Sequence, residues 1–265
     1  VSGATSGRAR IAEAFARSQA EGRRAALMPY LMAGYPTLAE ARRIARAYVE
    51  HGADLLELGI PFSDPLADGP VIHEAAVHAL KEGTSVEGAL AVGAEVASEL
   101  PVIVMCYANP ILRRGVERFL DTVAACGMSG LIVPDLPLEE APGMLKACDA
   151  RGLALVPLVA PTTPADRLAE IGAWARGFLY TVGVVGTTGE REHNDAALPE
   201  IVARTRASTD VPIAVGFGIG TPEQAAAAAG AGADGVIVGT RLVREAAHGA
   251  DAAGALVQSF ADALR

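Results

Sequence analysis

The chain has few of the residues that would support the simplest alternatives. Cysteine occurs only as Cys106, Cys126 and Cys148. None of them has a close metal-ligand spacing, and three thiols cannot all pair within one chain. They read as buried thiols of a cytoplasmic protein. Lysine is confined to Lys81 and Lys146, and the other basic side chains are arginines. Beside so much alanine and glycine, this reads as compositional bias rather than function. No apolar run reaches about 18 residues, so no membrane helix is expected. Val1–Arg8 lacks a basic region followed by an apolar one and is not expected to be a secretory signal. With 31 acidic against 22 basic side chains, the net charge of −9 gives no electrostatic basis for a nucleic-acid partner. His73 and His78 are not at same-face spacing, and no metal site is expected. No Gly-x-Gly-x-x-Gly follows the first apolar run, which argues against a dinucleotide-binding sheet.

What is present is regular. The 265 residues, 51% apolar, suffice for one large core, and no linker or composition break divides residues 1–265, so a single domain is expected. Short apolar runs predict strands at Leu27–Ala33, Asp54–Ile60, Val102–Tyr107, Gly130–Pro134, Leu153–Val159, Gly177–Val182, Ile213–Gly216 and Gly235–Val238. Helical spacing predicts helices at Leu38–His51, Val86–Leu100, Val116–Cys126, Glu139–Arg151, Pro164–Ala173, Ala197–Ala207, Pro222–Gly230 and Ala246–Leu264, with an extra leading helix at Ile11–Glu21. Gly52, Gly127, Gly152 and Gly232 mark helix ends. Thr37, Thr84 or Ser85, Thr163-Pro164 and Thr221-Pro222-Glu223 mark starts. Eight strand–helix units predict an α/β fold, a (β/α)8 TIM barrel with an additional N-terminal helix. An open doubly wound sheet is the main rival.

In such barrels the chemistry lies at the C-terminal ends of the strands, and late loops often hold a phosphate. Gly216-Phe217-Gly218-Ile219-Gly220, Gly239-Thr240 and the Gly183–Gly189 run are three consecutive late Gly-rich loops. Glycines let backbone N–H groups approach an anion, though each could also be an ordinary turn. Within Asp54–Ile60, alternation places Leu55, Glu57 and Gly59 on one face, read as the barrel interior. An interior acid with no lysine nearby should titrate high through desolvation, which suits a proton donor and acceptor. The bland alternative is a structural acid bonded to backbone at the rim. Asp68 lies beyond Pro61, Pro65 and Asp64 in a loop over the mouth. There it is expected to face solvent, stay ionised and hold an N–H that gains positive character. Asp64 reads as structural or interfacial.

The stretch Glu57-Leu58-Gly59-Ile60-Pro61-Phe62-Ser63-Asp64-Pro65-Leu66-Ala67-Asp68-Gly69-Pro70 resembles the signature of the tryptophan synthase α subunit family. The likeness continues through Pro29-Tyr30, Ala33-Gly34-Tyr35-Pro36, Met105-Cys106-Tyr107-Ala108-Asn109-Pro110, Val133-Pro134-Asp135-Leu136-Pro137 and Gly216-Phe217-Gly218-Ile219. The resemblance implies reversible, cofactor-free retro-aldol cleavage of indole-3-glycerol phosphate to indole and glyceraldehyde 3-phosphate. It gives Glu57 the acid/base role at indole C3 and the glycerol hydroxyl, and Asp68 the indole N–H. It implies that Tyr30, Met105 and Ile132 wall the indole pocket and that Tyr180 is an active-site tyrosine, its alternative being a plain barrel-lining aromatic. Gly189, Gly218, Gly239 and Thr240 would hold the phosphate, and Thr188 would meet Asp68 when its loop closes. The resemblance also implies a β subunit, an α2β2 complex, pyridoxal phosphate only in β, and contact with β through Pro61–Pro65 and Asn109.

One departure stands out. Val184 and Val185 occupy loop positions that are often polar in the family, which puts closure of that loop or its communication with β in question. Three other readings remain: a free-standing lyase releasing indole, a mainly regulatory partner of β, and a sugar-phosphate isomerase. Intact Glu57 and Asp68 oppose the regulatory reading. An isomerase leaves the signature unexplained.

Overall fold

The computed structural model describes residues 5–182, 198–216 and 218–265. Its strands are β1 (Ala26–Met32), β2 (Leu56–Gly59), β3 (Val102–Met105), β4 (Gly130–Ile132), β5 (Ala154–Val156), β6 (Leu158–Val159), β7 (Leu179–Val182), β8 (Ile213–Gly216) and β9 (Gly235–Val238). They pair in parallel in the order β5-β4-β3-β2-β1-β9-β8-β7-β6. β5 and β6 are consecutive pieces on either side of Pro157, so the two ends of that order meet and the sheet closes. Each of the eight expected strands is present, the fifth in two pieces. The break has a local cause: Pro157 has no N–H to give to a ladder. β5 therefore pairs β4, and β6 pairs β7.

Alternation sorts the side chains into two layers. Met28, Tyr30, Met32, Leu55, Ile103, Met105, Ile132, Val156 and Ala214 form the barrel interior. Leu31, Leu56, Leu58, Val104, Leu131 and Val236 face the surrounding helices. The leading helix runs over Gly7–Ala20, capped by Ser6, whose hydroxyl accepts from Ala9 N–H at 3.3 Å. Its Ile11, Ala14 and Phe15 join the interior cluster and plug the floor. Glycine makes the plug possible. A Cβ on Gly235 would lie 2.9 Å from Phe15, and one on Gly177 would lie 2.9 Å from Ile11.

Some helix boundaries differ from expectation. Pro70–Lys81 and Ala108–Arg114 are additional helices after β2 and β3. The closing helix, Ala250–Ala263, starts later than Ala246, a separate helix over Thr240–Ala246 precedes it, and Val86–Ala94 stops short of Leu100. Thr37, Ser85 and Thr221 cap as expected, Thr221 in a reciprocal box with Gln224. Thr163 does not cap its helix. Its hydroxyl accepts from Ala160 N–H inside the preceding turn, and Pro164 stands at the cap instead. Gly52, Gly127, Gly152 and Gly232 all adopt positive φ at helix ends. Among the described residues no helix is long and apolar enough to cross a membrane.

Candidate active site

Parallel closure brings the C-terminal ends of all strands to one face. Tyr30 and Glu57 are register partners on β1 and β2, and Glu57 pairs Ile103 on β3. One layer nearer the mouth, Met32, Gly59, Met105 and Ile132 are in register across β1 to β4. Tyr180 on β7 closes the ring opposite, packed against the same interior cluster. The glycines in this ring are cradles. A Cβ on Gly59 would stand 2.0 Å from the Tyr30 hydroxyl, and one on Gly216 would stand 2.5 Å from that of Tyr180. Each tyrosine thus lies across a neighbouring strand that has given up its side chain to admit it.

Glu57 is 3% exposed and its Oε2 has no hydrogen-bond partner among the described residues. Burial, and then the nearby negative charge of Asp68, push its carboxyl up to about 8. A carboxyl of this kind holds its proton at neutral pH and can both give and retrieve it. Tyr30 beside it is also buried, with an unpartnered hydroxyl, and burial holds it well above the ordinary phenol range.

Asp68 departs from expectation. It is half-buried rather than open to solvent, and desolvation raises its carboxyl to about 6. Two groups hold it down from going higher: a hydrogen bond from Tyr107 and the charge of His73. It is therefore mostly ionised at neutral pH, while Glu57 is mostly protonated. Two acids facing one pocket with their titrations driven apart are the arrangement that separates a proton donor from a standing anion.

Tyr107 is the site residue that sequence reasoning passed over. Its hydroxyl accepts from Ala67 N–H at 3.1 Å and donates to Asp68, and its ring stacks on Phe62 with centroids 5.4 Å apart. It pins the loop after β2 to the chain after β3. The only signal in the sequence was its place in the Met105–Pro110 motif.

The late loops sit at the same mouth. Gly218 has φ +67, a conformation that favours glycine. Gly239 caps the helix Thr240–Ala246, and Thr240 is buried at its first position. A Cβ on Gly239 would lie 3.9 Å from Tyr30 and 3.8 Å from Ile72, so this loop is close to the tyrosine next to Glu57. Thr188, Gly189, Val184 and Val185 lie outside the described residues. Asp64 is exposed and accepts from Ser63, within its own turn. Cys106 and Cys148 are buried and desolvation pushes both thiols up to about 12; Cys126 is only half-buried.

The sequence profile described as tryptophan synthase alpha chain matches residues 15–263. The chain belongs to that family. A tryptophan synthase alpha chain of Synechococcus elongatus is 46% identical over 88% of both chains. One of Prochlorococcus marinus is 49% identical over 90% of this chain and 87% of its own. Among solved structures, Mycobacterium tuberculosis tryptophan synthase matches with a TM-score of 0.91 at 40% identity, covering 97% of this chain and 98% of that one. The alpha chain of Legionella pneumophila gives 0.86 at 36%, covering 96% and 97%. The family activity is carbon–carbon cleavage of indole-3-glycerol phosphate, in tryptophan biosynthesis, and the alpha chain needs no cofactor of its own. A free-standing lyase is the less favoured reading.

Proposed function

We propose that Glu57 and Asp68 divide the retro-aldol cleavage between them. Protonated Glu57 gives its proton to indole C3, which leaves the ring as an iminium with positive charge at the N–H. The Asp68 carboxylate holds that N–H and offsets the charge. The Glu57 carboxylate then takes the proton of the glycerol hydroxyl on the carbon bonded to the indole. The oxygen electrons form the aldehyde, the C–C bond breaks, and its pair restores the aromatic ring. Glu57 ends protonated, as it began. The observation that carries this reading is the different burial of the two acids, Glu57 enclosed with an unpartnered Oε2 among the described residues and Asp68 half-buried against the Tyr107 hydroxyl, which drives their titrations apart.

Tyr30, Met105, Ile132 and Tyr180 form the apolar wall for the indole ring in this reading. Gly218, Gly239 and Thr240 take the phosphate, with Gly189 joining them and Thr188 meeting Asp68 on closure. The chain works in an α2β2 complex in the cytoplasm. The β subunit brings pyridoxal phosphate and consumes the indole. Leu66 and Leu112, 80% and 62% exposed, flank the Pro61–Pro65 and Asn109 surfaces assigned to β, which supports docking there.

The test is indole release from indole-3-glycerol phosphate by the purified chain, with and without β. Release that rises on adding β is expected, as is its near loss in Glu57→Gln. Full activity in Glu57→Gln would overturn the acid/base assignment. High turnover with no gain from β would favour the free-standing lyase.

A further inference from the structure

The Tyr30 hydroxyl shares the condition of Glu57 Oε2: it is buried and has no hydrogen-bond partner among the described residues. Tyr30 is 2% exposed and belongs to the interior cluster. A buried hydroxyl without a partner costs stability, and a phenylalanine would fill the same place without that cost. Its position says which partner it awaits. Tyr30 and Glu57 are register partners on β1 and β2. The Tyr30 ring leans along β2, so that a Cβ on Gly59 would stand 2.0 Å from its hydroxyl. Gly59 and Glu57 share one face of β2, two residues or about 6.5 Å apart. The phenol oxygen thus stands one layer above Glu57, on the mouth side. The root of the same side chain lies by the late loop, where a Cβ on Gly239 would be 3.9 Å from Tyr30 Cβ. Tyr30 therefore spans from the loop read as phosphate-binding to the strand of the proton donor. The hydroxylated carbons of the substrate run between those same two points.

We propose that the Tyr30 hydroxyl is a specificity-determining hydrogen-bond donor to the substrate hydroxyl on the carbon bonded to the indole, the one whose proton Glu57 takes. This rests on the reading of Glu57 as the acid/base, and it goes beyond the apolar wall that the Tyr30 ring provides. A hydroxyl has one proton and two lone pairs. Bound between these side chains, the substrate hydroxyl accepts from Tyr30 and donates to the Glu57 carboxylate. One ligand group thus satisfies both buried atoms. No proton leaves Tyr30. Burial, followed by the negative charge of Asp68 and Glu57, holds its phenol well above the ordinary range, so it acts as an O–H donor throughout. Its contribution is orientation: with a lone pair fixed by Tyr30, the substrate O–H is turned towards Glu57. Asp68, the other acid of the site, already receives the Tyr107 hydroxyl. The Tyr180 hydroxyl lies across the ring at Gly216, away from β2.

The test compares the full chain as wild type and Tyr30→Phe on two ligands. One is indole-3-glycerol phosphate, and the other is its analogue with hydrogen in place of the hydroxyl next to the indole. Tyr30→Phe is expected to lower kcat/KM for the substrate about tenfold, the size of one lost hydrogen bond. The Kd of the analogue, by calorimetric titration, should stay within about twofold of wild type, because a site built to bond a hydroxyl discriminates only against the ligand that lacks it. The melting temperature of Tyr30→Phe should equal or exceed that of wild type, since the hydroxyl removed has no partner among the described residues. A hydroxyl that served only the fold would lower the melting temperature and weaken both ligands by the same factor. One that served Asp68 would also weaken both, because both carry the indole N–H. Equal weakening of the two ligands, or no change in either, would overturn the proposal. Glu57→Gln separates the two levels. If it keeps its rate, the reading of Glu57 fails and the proposal with it. If it loses its rate while Tyr30→Phe cleaves like wild type, only the role of Tyr30 fails.

Discussion

Asp54 and Glu57 lie close together on one stretch of chain, and each is 3% exposed. Desolvation pushes both carboxyls up. Their surroundings then diverge. Asp54, ahead of β2 and towards the plugged floor, receives Arg23 at 2.9 Å and the Leu27 N–H at 2.8 Å on the same Oδ2. Both interactions hold its carboxyl down against burial. Glu57, towards the mouth, has an Oε2 without a partner among the described residues, and the charge that acts on it is that of another acid, Asp68. Burial alone therefore does not mark a working acid. What distinguishes Glu57 is that, among the described residues, its Oε2 has no partner for the charge it would carry. The same division separates stability from chemistry at the two ends of such barrels.

Exchanging each carboxyl for an amide should break the pair apart most plainly. Glu57→Gln is expected to lower kcat for indole release on the order of 1,000-fold, since the amide cannot pass a proton. Asp54→Asn should do the reverse. It leaves the Arg23 guanidinium buried without its anion, at a cost of roughly 3–5 kcal/mol in denaturant unfolding. The rate per folded molecule should stay close to wild type. An Asp54→Asn protein that folds normally but is inactive would collapse the distinction.

The second expectation concerns stability and pH. The unfolded chain releases the Glu57 proton near the ordinary 4.5, whereas the folded chain keeps it until about 8. Between those values the folded state binds the extra proton, so this group's contribution to stability falls as pH rises. Glu57→Gln removes that slope. The variant should be more stable than wild type at pH 8 by roughly 2–4 kcal/mol, and close to it at pH 4.5. Thermal or urea unfolding at the two pH values checks this. Equal stability at pH 8 would mean that Glu57 is not held in the protonated form.

A smaller effect should follow at the cradle. In Gly59→Ala the new methyl meets the Tyr30 hydroxyl, which is itself buried, so the ring must shift. Overpacking of this kind costs about 1–3 kcal/mol. Because Tyr30 stands beside Glu57, kcat/KM should fall along with Tm. Loss of stability with unchanged kinetics would separate Tyr30 from the site.

Much of this was legible from residue order alone. Short apolar runs gave all eight strands, and the glycine–small-residue signals gave the helix ends, because both depend on local backbone chemistry. The inward face of Glu57 followed from the parity of Leu55 and Gly59. Other features depended on contacts far along the chain. The helix Pro70–Lys81 was hidden by a proline-rich signature that reads as loop up to its last residue, and Ala108–Arg114 is only seven residues long with Pro110 inside it. Pro157 sat inside an apolar run that looked continuous, and its missing N–H matters only because two different neighbours flank it. The half-burial of Asp68 and the role of Tyr107 arise where two loops meet, from residues 40 positions apart at the Ala67–Tyr107 bond. No pattern on either segment alone encodes that meeting.

Asp68 falls between the two extremes, and Tyr107→Phe tests where. Asp68 is less enclosed than Asp54 or Glu57 and receives a side-chain hydrogen bond from Tyr107. One phenol serves two contacts here: its proton goes to Asp68 and a lone pair accepts from Ala67 N–H. Phenylalanine keeps the stack on Phe62 and removes both. A hydrogen bond to a charged form favours that form, so its loss should raise Asp68 above about 6. The acid limb of kcat/KM should therefore move to higher pH, with a fall of about fivefold near pH 6, or roughly 1 kcal/mol. Above pH 8 Asp68 is ionised in either protein, and the remaining difference should be only what the freed Ala67 N–H costs in loop order. If Tyr107→Phe lowers the rate equally at every pH, Tyr107 acts as a loop pin alone, and Asp68 owes its charge to the rest of its surroundings.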